Sequence, residues 1–249
     1  MPAGLKRERA EDEEPTREIA QRTETAQETE DEVEENSEAM MIKIVLEDLQ
    51  SNDETTLEVA LFQIAKYLQE EDDEKLTKMQ EAFFQVGGHA FIVRTMKEHP
   101  NSSILQDHGL WVLMNAAFKN ASIQTAVAKV EGIPAILAAM KKFPSDECVI
   151  CNGFGAFGNI VDENEANANF LVRELGGIPF LVEQMKEFQD DAHITKYACL
   201  TLKFLSSFEN LRKPMVDAKA ATALANAIER HGDNPDIQEL AREAMKQLM

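Results

Sequence analysis

A phrase built around paired glycines recurs along this chain at a nearly fixed interval. It reads Gly87-Gly88-His89-Ala90-Phe91-Ile92, followed by Met96-Lys97-Glu98-His99-Pro100. It returns as Glu131-Gly132-Ile133-Pro134-Ala135-Ile136, with Met140-Lys141-Lys142-Phe143-Pro144, and again as Gly176-Gly177-Ile178-Pro179-Phe180-Leu181, with Met185-Lys186-Glu187-Phe188. The second glycine steps from 88 to 132 to 177, intervals of 44 and 45 residues, and a degenerate fourth copy, Lys219-Ala220-Ala221-Thr222, follows 43 residues later. A period of this size in helix-forming sequence specifies a solenoid of stacked helical units, because one such unit cannot bury its apolar face alone.

Composition agrees with one array of this kind. The 249 residues are 44% apolar, with two tyrosines and one tryptophan among helix-forming side chains, which points to an all-α chain. Acids outnumber bases by 45 to 25, a formal net charge of -20. A field of that sign disfavours nucleic acid and anionic membrane surfaces and suits basic partners or solubility. Three cysteines, no apolar run near membrane-spanning length and no signal-like start lead to the expectation of a reducing compartment, cytosol or nucleus. A monomer is expected.

Residues 1–38 carry 14 acids and 5 bases and almost no large apolar side chains. Such a segment cannot offset its ordering entropy, so an acidic disordered tail is expected there, with transient helix near Arg17–Arg22. Order is expected to begin near Met40, where Met40, Met41, Ile44, Val45 and Leu49 fall at helical spacing. Asp53 or Thr55 is placed to cap a second helix burying Leu57, Leu61, Ile64, Ala65 and Leu68. A third helix, roughly Glu74–Val86, stops at the first glycine pair. The solenoid then divides into three-helix units at about 39–86, 87–130, 131–175, 176–218 and 219–249. Pro134, Pro179 and Pro235 sit at first-turn positions, and Asn101 or Ser102, Ser145, Asp191 and Asn234 at capping positions. The last helix, Asp236–Met249, reads as a polar cap closing the array.

The Gly-Gly-Ile-Pro phrase, followed by a long helix ending in Asn and an apolar residue, resembles the armadillo repeat over residues 40–249. The resemblance implies a right-handed α-α superhelix of about five units whose long helices line a concave groove. In importin-like members a Trp and an Asn four residues later project into that groove. There the Asn amide clamps the backbone of an extended peptide and the indole attracts a cation. Trp111-Val112-Leu113-Met114-Asn115 matches this pair. One period on, the equivalents are Gly155 and Asn159, then Cys199 and Lys203. One period back they are Phe62 and Lys66, and at the far end Arg242 and Lys246. The resemblance thus marks Phe62, Lys66, Trp111, Asn115, Asn159 and Lys203 as candidate groove residues. It also limits the match to importin-like proteins, since one unit alone carries both members of the pair. The lysines in the Asn column would repel a basic peptide and suit an acidic one.

Other constellations point to no chemistry. Cys148-Val149-Ile150-Cys151 lacks the second pair a structural zinc site requires. The five histidines form no Ser/His/Asp or His-Glu-x-x-His pattern, and Gly153-Phe154-Gly155-Ala156-Phe157-Gly158 has no strand before it, as a phosphate loop needs. Its glycines would instead weaken the helix and let neighbours approach. The acid runs Asp72-Asp73-Glu74 and Asp190-Asp191 read as solvated loops. No catalytic residue, metal or cofactor is expected. The expected function is a non-catalytic scaffold or adaptor that holds a protein or peptide segment in the groove. The alternatives are a karyopherin-alpha-like adaptor for basic import signals and a scaffold working through its convex face.

Overall fold

The computed structural model describes residues 47, 48, 50, 51 and 53–249. The acidic leader and the expected helix around Met40–Val45 lie outside the described residues. From Asp53 onward the described residues form thirteen α-helices in succession: α1 Glu54–Tyr67, α2 Asp73–Gln85, α3 Gly88–Glu98, α4 Ser103–Ala117, α5 Ala121–Lys129, α6 Gly132–Lys142, α7 Glu147–Val161, α8 Glu165–Asn169, α9 Gly177–Glu187, α10 Ala192–Ser207, α11 Glu209–Asp217, α12 Ala220–Arg230 and α13 Pro235–Leu248. A π-helical turn, Phe170–Glu174, extends α8. The helices α1, α4, α7, α10 and α13 form a ladder whose successive pairs make the most extensive helix–helix contacts of the array. One continuous apolar core runs the length of the array, including Leu61, Phe83, Leu113, Phe154, Phe157, Leu202 and Leu224.

Local chemistry sets the helix starts. Asp53, Asp72, Asp146, Asp191 and Asn234 each accept hydrogen bonds from first-turn N–H groups that have no partner within the helix. Asp146 takes the role that spacing assigned to Ser145. Asn120 and Asn164, one period apart, cap α5 and α8 in the same way. Pro214 stands inside α11, past its first turn.

The recurring phrase is the tightest corner of each unit. Gly87, Glu131, Gly176 and Lys219 occupy the same register and all take left-handed backbone, with φ of 72°, 63°, 58° and 62°. This conformation turns the chain sharply, and the axes of α5 and α6 on either side of Glu131 diverge by 75°. Two corners use glycine, which adopts such φ without cost, and two use side chains that do not. The second residue of the phrase answers a different constraint, close approach. A Cβ at Gly88 would lie 2.2 Å from Cε2 of the buried Phe83 ring, and one at Gly132 would lie 2.3 Å from Val127 Cγ1 and 2.8 Å from the Val127 carbonyl oxygen.

Buried amides complete the unit. Gln80 on α2 donates to the Asn115 and Phe118 carbonyls, Gln124 on α5 to Ala117, and Asn167 on α8 to Gln124 and Ile160. These carbonyls include those at the ends of α4 and α7, which have no helical partner of their own. Gln106 and Gln238 do the same for the ends of α3 and α12, through Met96 and His99 and through Ile228 and His231.

The two phrase positions respond differently to substitution. Gly132→Ala is expected to lower unfolding stability by about 1–3 kcal/mol through overpacking against fixed backbone. Lys219→Gly is expected to raise it by up to about 1 kcal/mol by relieving left-handed strain. Chemical-denaturant midpoints of the two variants test the pair, and opposite signs are the expected result.

Candidate binding groove

The long helices carry a stripe of side chains that the short helices leave uncovered. On α1 it comprises Val59, Phe62 and Lys66, and on α4 Ile104, His108, Trp111 and Asn115, the spacing of one helical face. Val59, Phe62 and Ile104 are 50%, 43% and 49% exposed, unusually high for large apolar side chains in a packed array. The Phe62 ring meets Trp111 edge-on at 5.8 Å and His108 at 5.7 Å. Lys66 Nζ lies 5.4 Å from the centre of the Trp111 ring and 3.3 Å from Gln69 Oε1. Three of the six candidate residues, Phe62, Lys66 and Trp111, therefore form one cluster across α1 and α4.

The two asparagines lie further along the ladder. Asn115 Nδ2 donates to the Ala65 carbonyl on α1 at 3.0 Å, and Asn159 Nδ2 donates to the Met114 carbonyl on α4 at 2.7 Å. Both amides line one depression, together with Leu68, Met114, Phe118, Tyr197 and Leu200. Each amide is oriented by the preceding long helix, and neither Oδ1 accepts a hydrogen bond from any described residue. Reasoning that tracked a single column missed Met114, Phe118, Tyr197 and Leu200. The signal for α10 was present in part: Leu200 lies three residues before Lys203, on the same side of the helix, and Tyr197 three before Leu200.

Lys203 stands apart. Its Nζ pairs with Glu243 Oε2 on α13 at 2.6 Å, and Lys196 pairs with Asp236. The expected selection of acidic ligands by a lysine column loses its basis there, because these cations are neutralised by the next unit. The aromatic shelf does not repeat either. A Cβ at Gly155 would lie 2.2 Å from Met114 Sδ, so the place equivalent to Trp111 is filled from the neighbouring helices. Cys199, one period on, is fully buried, and burial pushes its thiol up to about 12. Arg242 and Lys246 are exposed on α13.

The glycines of α7 serve helix packing. Gly153 backs onto Met140 and Gly158 onto Leu200 and Thr201, and the Thr201 hydroxyl donates to the Phe154 carbonyl at 2.7 Å. Cys148 is exposed and Cys151 half-buried, and among the described residues no group of three His, Cys, Asp or Glu side chains is placed to hold a metal ion. Near the groove, Asp107 is half-buried and accepts from Asn152 Nδ2 at 2.6 Å. Burial raises its carboxyl above the usual carboxylate range, opposed by the Asn152 bond and by the His108 charge.

No protein-family model matches the chain. The splicing regulator ARVCF of Rattus norvegicus is 27% identical over 139 residues, 56% of this chain, and the chain spans 14% of the length of that relative. A designed armadillo repeat protein superposes with a TM-score of 0.62 at 16% identity, over 84% of this chain and 100% of that one. A second designed armadillo repeat protein, in complex with the peptide (KR)4, superposes with a TM-score of 0.58 at 19% identity, over 84% and 99% of the two chains. The fold is an armadillo-repeat solenoid. In armadillo terms, α4, α7 and α10 are the long helices of successive repeats, and the left-handed residues mark the corners before α3, α6, α9 and α12.

Asp107 allows a test of the groove electrostatics. Its folded-state pKa lies above its unfolded value, so its contribution to stability is present below the unfolded pKa and is lost as pH rises through the folded one. Asp107→Asn keeps the acceptor for Asn152 and removes the buried charge. Thermal melts are expected to show the variant more stable at pH 7, with the difference vanishing near about pH 3.

Proposed function

We propose that this armadillo solenoid is a non-catalytic binding scaffold that holds an extended segment of a protein partner along its long helices. The observation that carries this reading is the pair of oriented asparagines in one depression. An Asn side chain offers an acceptor and two donors. Here one donor of each is used to fix the amide against the preceding helix, which leaves Oδ1 and the second N–H for a ligand. An extended backbone presents N–H and C=O groups in alternation and matches that pair. Met114, Phe118, Tyr197 and Leu200 add apolar surface beside the amides, which a bound segment would cover. The solved (KR)4 complex supports the general mode, since that designed protein of the same fold is in complex with a peptide.

Import-signal recognition has less support. It needs successive Trp–Asn shelves, and here the shelf is filled at Gly155 and buried at Cys199. No observation favours a partner on the convex face.

The test is affinity capture followed by identification of the bound proteins. Asn115→Ala/Asn159→Ala is expected to weaken the authentic partner at least tenfold, about 1.4 kcal/mol. The substitution also removes two inter-helix hydrogen bonds, so a second variant, Leu200→Arg, obstructs the depression while leaving both bonds intact. Partners lost from both variants at unchanged helicity place binding in the groove. Identical partner sets from two folded variants and the wild type overturn the proposal.

A further inference from the structure

The cation over Trp111 belongs to the chain itself. Lys66 Nζ stands 5.4 Å from the ring centre, within the range where an ammonium is held by the face of an indole. Lys66 has no carboxylate partner among the described residues, in contrast to Lys196 and Lys203. Among the described residues its hydrogen-bond partner is the Gln69 amide oxygen at 3.3 Å. The residue sits one turn after Phe62 on α1, directly across from the sole tryptophan of the protein.

Building on the groove reading, we propose that Lys66 is a built-in occupant of the Trp111 face that bars cationic ligand side chains from this place in the groove. A ligand lysine or arginine would have to displace the Lys66 ammonium from the ring and then accept a like charge a few ångströms away. An uncharged apolar side chain meets neither obstacle. It would contact Phe62 and the exposed flanks of Val59 and Ile104, which share the same helix faces. Lys66 thus sets specificity by excluding one ligand class, which is as effective as adding attraction for another. The expected ligand is an extended segment with an apolar residue at this position, and alternating basic peptides are rejected. The overall negative charge of the chain does not supply this selectivity, since it attracts basic peptides wherever they land.

Trp111 fluorescence reports the event locally. The full chain is titrated with the octapeptide (KR)4 in about 0.15 M salt, where long-range attraction is screened beyond roughly 8 Å. Wild type and Lys66→Arg, which keeps a cation on the ring, are expected to show no saturable change. Lys66→Ala is expected to show saturable binding at least tenfold tighter than either. Equal responses from wild type and Lys66→Ala, whether both saturable or both flat, overturn the proposal, and matched circular dichroism confirms that each variant is folded. Adding Asn115→Ala/Asn159→Ala to the Lys66→Ala background separates the two readings. A peptide gained on Lys66→Ala but indifferent to the asparagines upholds the gate and removes support for the amide clamp.

Discussion

Each unit of this chain can bury its apolar surface only against the next unit, and everything else follows from how the units are joined. The ladder of long helices supplies the apolar contact. Across it run polar bonds at close to one-period separation: Asn115 to Ala65, Asn159 to Met114, Thr201 to Phe154, and Asn152 to Asp107. A side-chain donor aimed at the backbone carbonyl of another helix has stringent geometry, so such bonds restrict how far neighbouring helices can slide. The glycines of α7 work in the same direction by letting that helix approach Met114 and Met140 closely.

The same joints shape the open face of the long helices. The asparagine amides that fix helix spacing keep acceptors there that no described residue uses, so in the proposed reading one side chain would serve both stability and recognition. Charge is handled differently at the two ends of the ladder. Toward the C-terminal end, Lys196 and Lys203 are consumed by Asp236 and Glu243 of the next helix. Toward the N-terminal end, Lys66 rests on an aromatic face instead of a carboxylate. The depression between them is lined by apolar side chains and amides, with Glu70 at its side.

Much of the fold was legible in the sequence because repetition amplifies weak local signals. A lone copy of the phrase says little, but three in-phase copies mark helix corners, and the left-handed residues lie in that register. Glu131 and Lys219 show where composition misleads, since backbone geometry inherited from the repeat holds them in a conformation that favours glycine. The helix caps were readable to within a residue, with Asp146 replacing Ser145 because its carboxylate reaches two N–H groups of the first turn. The register alone placed the candidate groove residues on the long helices. It could not foresee that Gly155 is filled by its neighbours or that Lys203 is neutralised from α13, because both depend on residues about 40 positions away.

An all-helical repeating array and the location of its corners could be read from the amino-acid sequence. These depend on spacing and on intrinsic backbone preferences, which are local quantities. Tertiary structure alone decided which polar groups stay available. Hydrogen-bond partners and ion pairs are set by distances between units, so the pairing of Lys203, the placing of Lys66 over the Trp111 ring and the inter-helix bonds of Asn115 and Asn159 emerge only once the helices are stacked.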